Sequence, residues 1–333
     1  MARRATQKDV ARVAGLSQAT VSMVLSGAAG ETPPETLAKI NDAIRELDYV
    51  PNRFAQALKT NRTMTIACIV PDISNPFYPS LMRGIQSVAE ALRYDVIAVN
   101  TDGLAERERH FLDWSRQGRV DGVVGVFWTL RAPDFAPLIG EGIPVVRLEN
   151  ARKEGGDIAI DNIFVDSRRG AYEMTQLLLA KGHRNIAMIA GHGGPQGVRV
   201  QGYKAAMEEA GAVPFVTIDE DFNETGGGRA AMAVLDNPTR STAIFAANDL
   251  MAIGAMQAIR ERGLSIPEDI AVAGFDDISA ARLVWPGLTT VAQFQYEMGV
   301  KAAEILMERL HGKGPTTGTA HEMPFRIIER GSA

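Results

Sequence analysis

The chain has 333 residues, 46% hydrophobic and 23% charged, which is enough for two or three domains with apolar cores and excludes a disordered chain. The single cysteine, Cys68, excludes an intrachain disulfide. No apolar run reaches the length of a membrane span and the N-terminus contains no signal peptide, so we expect a cytoplasmic protein without a membrane partner.

The net charge of −5 is distributed unevenly along the chain. Residues 1–62 contain nine Lys and Arg against six Asp and Glu, a net charge of +3. The remaining residues contain 26 against 34, a net charge of −8. A small basic segment joined to a large acidic one is typical of a phosphate-binding unit attached to a unit with another task.

The first predicted elements are two short helices near the N-terminus. Thr6 is suited to cap a helix whose third residue is Asp9, and Gly15 is suited to end it in the left-handed conformation. After a three-residue turn, Ser17 is suited to cap the second helix. Apolar residues line one face of each helix: Val10, Val13, Ala14, Val21, Val24 and Leu25. The pattern predicts a helix-turn-helix, and the alternative is a helical hairpin packed into a larger core.

The second helix presents small and amide side chains on its other face. Near the start of such a helix, side chains of this kind enter a major groove and contact base edges, while hydroxyls and helix amides bind phosphates. We therefore expect double-stranded DNA as a partner. The predicted contacts in this part of the chain are Thr6, Ser17, Gln18, Ala19, Thr20, Ser22 and Met23.

The same stretch, TQKDVARVAGLSQATVSMVLSG, resembles the DNA-binding headpiece of the lac repressor family (the LacI/GalR type). Met23 stands where the family most often has a base-reading arginine. Without an arginine, a bidentate guanine contact is lost, so we expect the operator to differ from the family's commonest one at that position.

A third helix is predicted next, with Thr32, Pro33 and Glu35 as its capping residues. Apolar residues follow at helical spacing: Leu37, Ile40, Ile44 and Leu47. This helix is expected to complete a three-helix core.

The segment after residue 50 resembles the hinge of the family and includes Asn52, a further expected DNA contact. Its eight-residue helix, 53–60, is too short to be stable alone, so we expect it to fold against a partner helix and DNA. Leu58 matches the family's leucine wedge, which enters the minor groove and kinks the duplex. The alternative is an ordinary linker with a buried leucine.

From residue 63 onward, short apolar runs alternate with helical segments. The runs predicted as strands form two sets: 65–70, 95–99, 122–127 and 144–148, then 185–190, 215–218, 243–246 and 270–273. Apolar strands alternating with helices predict parallel sheets covered on both faces, and two sets predict two doubly wound lobes. Ligands of such sheets lie beyond the carboxyl ends of the strands, so we expect a site in a cleft between lobes.

This part also resembles the family's effector-binding core, which has the architecture of periplasmic binding proteins. Matching phrases include Asp72–Phe77, Ala247–Asp249, Gly274–Asp277 and Leu288–Val291. The predicted organisation is therefore a helix-turn-helix headpiece (1–50), a hinge (51–62) and a two-lobed core (63–333). The resemblance implies a homodimer, and no apolar heptads follow the last strand to extend it to a tetramer.

Enzyme signatures are incomplete in this sequence. His192-Gly193-Gly194 resembles part of an esterase oxyanion loop, but no G-x-S-x-G motif accompanies it. Gly226-Gly227-Gly228 lacks the Lys and Ser or Thr of a phosphate loop, so we expect it to begin a helix. The five histidines lack metal-ligand spacing. We expect no catalytic residue, metal or cofactor.

Candidate effector contacts lie on loops after the predicted strands or at positions that match the family's cleft. They are Asp72, Asn75, Phe77, Trp128, Glu149, Arg199, Phe222, Asn248, Asp276 and Gln293. Guanidinium, amide and carboxylate groups bind hydroxyls, and aromatic side chains cover an apolar ring face. For each polar residue the alternative is a helix cap or a surface ion pair.

These features together predict a transcriptional regulator, expected to be a repressor, with a palindromic operator and a sugar or sugar derivative as effector. A purine or nucleoside effector is the second possibility. A solute-binding protein with an extra helical domain and a hydrolase are the alternatives from other classes.

Overall fold

The computed structural model describes residues 5–25, 32–51, 57, 60–149, 151–152, 158–219 and 221–333. The chain divides into two compact units, Met1–Thr63 and Met64–Ala333. The hinge residues Asn52 and Leu58 lie outside the described residues. No helix in the described part of the chain is long and apolar enough to cross a membrane.

The first unit contains three short helices around a small core. They are α1 (Gln7–Ala14), α2 (Gln18–Leu25) and α3 (Pro34–Glu46). Val10, Val21 and Ile40 are fully buried, one from each helix. Helices of this length are marginal alone, so their packing against one another is what stabilises them.

The predicted cap of α3 was wrong. The N-cap is Pro33 and makes no side-chain hydrogen bond, so Thr32 does not cap the helix. Proline at the start of a helix supplies a suitable φ without losing a needed donor, which replaces the cap. Glu35 instead pairs with Lys39, its carboxylate 2.8 Å from the ammonium nitrogen.

The second unit contains two parallel sheets. The first comprises β1 (Thr65–Val70), β2 (Asp95–Asn100), β3 (Gly122–Gly125), β4 (Val145–Glu149), β5 (Ile160–Phe164) and β11 (Ala320–Glu322), in the order β11-β5-β4-β3-β1-β2. The second comprises β6 (Ile186–Ala190), β7 (Phe215–Ile218), β8 (Ala243–Ala246) and β9 (Ala271–Ala273), in the order β7-β6-β8-β9. β10 (Thr290–Ala292) and β12 (Arg326–Ile328) form an antiparallel pair.

Helices cover both faces of each sheet, which defines two lobes. They are α4 (Phe77–Ala91), α5 (Ala105–Ser115), α6 (Ala136–Gly140), α7 (Ser167–Ala180), α8 (Gln196–Glu209), α9 (Glu224–Leu235), α10 (Asp249–Glu261) and α11 (Gln295–Leu310). In the first lobe α4 and α11 cover one face, and α5 and α6 cover the other. In the second lobe α7 and α8 lie opposite α9 and α10.

Strand β1 shows why both sheet faces are apolar. Ile66, Cys68 and Val70 point toward α4 and α11, whereas Ala67 and Ile69 point toward α5 and α6. A parallel strand between two helical layers buries both sets of side chains, so its sequence is continuously apolar. The predicted two-lobed parallel architecture is confirmed, and all eight predicted strands are present with ends shifted by at most two residues.

The chain crosses between the lobes three times within this unit: after β5, between β10 and α11, and between β11 and β12. The carboxyl ends of strands from both lobes therefore face a common cleft.

Candidate functional site

Hydrogen-bonded caps and a glycine turn fix helices α1 and α2. The Asp9 amide donates to Thr6 Oγ1 over 3.4 Å, and the Thr6 amide donates to Asp9 Oδ2 over 3.0 Å. Gly15 ends α1 with φ +65°, where a side chain is strained. The Thr20 amide donates to Ser17 Oγ over 3.1 Å at the start of α2. The predicted caps of both helices are confirmed.

The outer face of α2 presents the side chains expected to contact DNA. Val21 is fully buried, whereas Gln18 and Ala19 are exposed and Met23 is 52% exposed. Thr20 and Ser22 are half-buried, and Thr6 and Ser17 are exposed at the helix starts. The expected DNA contacts in this part of the chain thus lie along α2, from Ser17 at its start to Met23, and at the start of α1.

A cavity of about 190 Å³ lies between the two lobes of the second unit. Eight of the ten candidate effector contacts line it: Asn75, Phe77, Trp128, Glu149, Arg199, Phe222, Asp276 and Gln293. Both lobes contribute, because Asn75 and Glu149 belong to the first and Arg199 and Asp276 to the second.

An ion pair between Arg199 and Asp276 forms the polar centre of the cavity wall. Arg199 Nη2 lies 3.3 Å from Asp276 Oδ1, and Arg199 Nη1 donates to the Ala247 carbonyl over 2.5 Å. The guanidinium also stacks over the Phe275 ring, 3.8 Å from its centroid. Gln293 Nε2 donates to Asp276 Oδ1 over 2.5 Å. Packing and hydrogen bonds therefore hold both charged groups in fixed positions.

Burial raises the pKa values of two carboxyl groups at this wall of the cavity. Burial raises the pKa of Asp276, while the charge of Arg199 opposes that shift. Asp249 is fully buried behind it, and burial together with the charge of Asp276 raises the pKa of Asp249. Asp276 also has φ +127°, a conformation that non-glycine residues rarely adopt.

Glu149 lies at the end of β4, on the opposite wall. Its Oε1 lies 3.4 Å from Arg147 Nη1, and both side chains are more than nine-tenths buried. Arg147 Nε and Nη2 donate to Asn162 Oδ1 over 3.1 and 2.7 Å. Burial lowers the pKa of Arg147, and the Glu149 charge opposes this. Arg147 therefore holds the Glu149 carboxylate from behind the wall.

Three buried side-chain atoms in the described residues have no hydrogen-bond partner: Trp128 Nε1, Ser167 Oγ and Arg199 Nε. All three residues line the cavity. Leaving a buried polar atom unpaired costs about 1–3 kcal/mol, so a cavity with three of them is suited to a ligand with several polar groups.

Two candidates, Asp72 and Asn248, do not line the cavity. Asp72 Oδ1 accepts hydrogen bonds from the amide and hydroxyl of Ser74. Asn248 caps α10, because its Oδ1 accepts from the Met251 amide over 2.8 Å and its Nδ2 donates to the Phe222 carbonyl. The cap alternative describes Asn248, whereas Asp72 forms a local turn with Ser74, which is neither a helix cap nor an ion pair.

Sequence reasoning missed two polar cavity residues, Tyr78 and Ser167. Tyr78 is the neighbour of the predicted Phe77, and burial raises its pKa. Ser167 is the first residue of α7, directly after the N-cap Asp166. Their positions after strands β1 and β5 were the available signal, but β5 itself was not predicted.

The weaker enzyme signatures have structural roles. Gly226–Gly228 lie in the first turns of α9, so the prediction that they begin a helix is confirmed. The Gly226 amide donates to Oδ1 of the N-cap Asn223. His183 Nδ1 lies 3.0 Å from Thr242 Oγ1. Within the described ranges no group of His, Cys, Asp and Glu is arranged to hold a metal ion.

Comparison with known proteins places this arrangement in a family. Residues 6–52 match bacterial regulatory proteins of the lacI family, and residues 175–333 match a periplasmic binding protein-like domain. The ribose operon repressor of Escherichia coli (strain K12) is 37% identical over 341 residues, covering 99% of this chain and 100% of that protein. The chain belongs to the lacI family of bacterial regulatory proteins.

Solved structures of lacI-family proteins share the fold. A structure of the lac repressor dimer bound to operator has a TM-score of 0.86 at 26% identity and covers 99% of both chains. A lacI-family regulator from Enterococcus faecium with bound ribose has a TM-score of 0.72 at 29% identity, covering 80% of this chain and 98% of that one. This lacI-family chain is a DNA-binding transcriptional regulator of the repressor type, not an enzyme or a stand-alone solute-binding protein.

Proposed function

We propose that this regulator binds a sugar or sugar derivative in the interlobe cavity and that this binding changes its affinity for a palindromic operator. The observation that supports the ligand class is the Arg199, Asp276 and Gln293 array beside three aromatic residues. A sugar hydroxyl both donates and accepts hydrogen bonds, which suits a carboxylate beside a guanidinium. The rings of Phe77, Trp128 and Phe222 suit the C–H face of a sugar.

The three buried atoms without hydrogen-bond partners indicate which polar groups the ligand should carry. Arg199 Nε and Trp128 Nε1 are donors only, and the hydroxyl of Ser167 donates or accepts. A sugar oxygen within reach of each donor would satisfy it. D-ribose is the first sugar to test, because a relative is named a ribose operon repressor and a similar structure holds ribose.

The lobes respond to the ligand through a shift in population. A sugar that contacts Glu149 of one lobe and Asp276 of the other makes all its contacts only when the lobes are close together. It therefore favours that arrangement, since a ligand with equal affinity for both arrangements shifts nothing. The hinge then transmits the change to the headpieces.

On the DNA side, Gln18, Ala19 and Met23 are proposed to contact base edges and Thr20 and Ser22 to contact phosphates. Thr6, Ser17 and Asn52 complete the proposed DNA contacts, and Leu58 is the proposed minor-groove wedge. A two-fold homodimer would bind an inverted repeat with half-sites about one helical turn apart.

A thermal-shift screen of sugars, polyols, nucleosides and purines tests the effector class. A cleft ligand at about 100 times its Kd should stabilise the core by about 2.7 kcal/mol. Fluorescence anisotropy with palindromic duplexes, with and without the hit, then measures the operator response. A shift with purines or nucleosides but with no sugar would contradict the proposed sugar and leave the family assignment intact.

A further inference from the structure

A buried carboxylate from α5 holds the loop that follows β3. Glu108 is fully buried. It accepts hydrogen bonds from the amides of Trp128, Thr129 and Leu130 over 2.7, 3.1 and 3.2 Å. The Thr129 hydroxyl donates to the same carboxylate over 2.5 Å. Four donors on one buried anion fix the backbone of this loop relative to the first lobe.

The side chain of Trp128 extends from this loop to the second lobe. A Cβ atom added at Gly194, which follows β6, would lie 2.8 Å from Cε2 of the indole, and one at Gly193 would lie 3.2 Å from Cε3. Both glycines have positive φ, so they form a turn that only small residues fit. The indole also meets the Phe222 ring edge to face, with centroids 6.3 Å apart. Trp128 thus packs against two loops of the opposite lobe.

The indole N–H of Trp128 indicates a role beyond packing. Trp128 lines the cavity, and its Nε1 is buried without a hydrogen-bond partner. A residue kept only for packing would not need that donor, because an apolar ring of similar size would avoid the cost of an unpaired N–H.

We propose that Glu108 is a positioning residue that holds Trp128 as a latch between the lobes, and that this latch sets the concentration at which the effector acts. Glu108 does not line the cavity, so it acts through the loop. Because the indole contacts the second lobe only when the lobes are close, fixing its base favours the closed arrangement. The apparent affinity of a cleft ligand depends on the fraction of molecules in that arrangement. The effector part rests on the proposed function, whereas the latch itself requires no ligand.

Fluorescence of Trp128 tests the latch without effector or DNA. The chain has three tryptophans, so Trp114→Phe with Trp285→Phe leaves Trp128 as the only one. In this background, Glu108→Gln places an amide NH₂ against the loop amides and leaves at least one of them without an acceptor. We expect a red-shifted emission and an acrylamide quenching constant raised about two-fold, because the half-buried ring loses its contacts with the second lobe and becomes more exposed. Glu106→Gln, an exposed position on the same helix, is the matched control and should change neither.

A second variant tests the latch from the other lobe and keeps the hydrogen bonds of Glu108 intact. Gly194→Ala places a methyl group against the indole and should produce the same changes in emission and quenching. Gly197→Ala adds a methyl group where nothing lies within 4 Å and should not. Unchanged Trp128 fluorescence in folded Glu108→Gln or Gly194→Ala protein, with folding checked by circular dichroism, would overturn the latch.

The effector arm uses D-ribose as the probe. Glu108→Gln should raise the half-saturating ribose concentration roughly ten-fold, the effect of losing one buried hydrogen bond to a charged group. In a Trp128→Leu background the same substitution should add nothing, because Glu108 acts through the indole. Additive effects would show that Glu108 acts by another route and overturn the proposal. If the parent protein does not bind ribose, ribose is not its effector, the effector arm is repeated with the sugar identified by the thermal-shift screen, and the fluorescence arm still decides the latch.

Discussion

Replacing Asp276 with asparagine separates effector recognition from DNA binding. Asparagine keeps the shape of the side chain and tolerates the positive φ of 127° better than alanine. Its carbonyl oxygen still accepts the hydrogen bond from Gln293, but one acceptor becomes an NH₂ group and the negative charge facing Arg199 is lost. The substitution therefore tests the acceptor and the charge with little change in packing.

The expected loss follows from burial. Asp276 is 5% exposed, so a sugar hydroxyl that donated to the lost acceptor finds no water in its place. Such a loss costs about 1–3 kcal/mol, which is roughly 5- to 150-fold in Kd. The effect on folding should be smaller than for an isolated ion pair, because removing this charge also relieves the repulsion of Asp249. Arg199 keeps its bond to the Ala247 carbonyl and its contact with Phe275.

Calorimetric titration with the sugar identified by the screen measures the Kd, and anisotropy measures operator binding without effector. Operator binding should survive, since headpiece and hinge are unchanged. The matched control is Asp277→Asn, which alters the neighbouring carboxylate that pairs with Arg330 and does not line the cavity. Equal effector affinity for Asp276→Asn and the parent protein would refute the proposed chemistry of the cavity.

Three further predictions concern the DNA contacts and the buried acids. Leu58→Ala should weaken operator binding, measured by anisotropy, and leave the thermal stability of the core, measured by calorimetry, unchanged. Equal operator affinity for the variant and the parent protein would show that Leu58 is not a minor-groove wedge. Met23→Arg should create a preference for guanine at one position of each half-site, worth about 1–3 kcal/mol, and a randomised-operator selection without that change would show that residue 23 does not face a base. Burial raises the pKa of Asp249 and Asp276 in the folded core. Above about pH 4 the folded core therefore keeps protons that the unfolded chain releases, so the free energy of unfolding falls as the pH rises toward the folded-state pKa values of these two residues. Asp249→Asn should flatten this dependence in urea unfolding between about pH 5 and pH 8, by at most about 1.4 kcal/mol per pH unit, and an unchanged slope would mean that Asp249 does not titrate there.

The candidate site was predictable where residue type and strand order agreed. Asp276 and Gln293 follow β9 and β10, so fold topology places them at one edge, whereas Arg199 lies in the first turn of α8 and not on the predicted loop after a strand. Asn248 fits the same rule, but α10 begins at the next residue and uses its side chain as a cap. Periodicity does not distinguish these two outcomes, since a polar residue after a strand suits a ligand and a helix N-terminus equally.

The missed strands lack a continuous apolar run. β10, β11 and β12 contain three residues each and include polar side chains, unlike the equally short but wholly apolar β9, and β5 contains Asp161 and Asn162 in the middle of an otherwise apolar run. Both polar side chains are buried and satisfied by distant partners, since Asp161 accepts from Arg309 and Asn162 accepts from Arg147. The sequence alone does not reveal such partners, which lie up to 158 residues away, as Thr319 does from Asp161.

The sequence by itself determined the helix-turn-helix, the two sets of parallel strands and most of the polar and aromatic residues around the cavity. The helices and strands follow from caps, glycine turns and hydrophobic periodicity, which act over a few neighbouring residues, whereas the cavity residues were expected from their positions after strands and from the resemblance to the family's cleft. Tertiary structure alone decided which side chains face the cavity, which buried atoms lack partners, and how Glu108 holds the loop that carries Trp128. The bonds to Trp128, Thr129 and Leu130 join residues 20 to 22 positions apart on separate elements. A hydrogen bond between elements depends on how the lobe packs, and no local pattern encodes it.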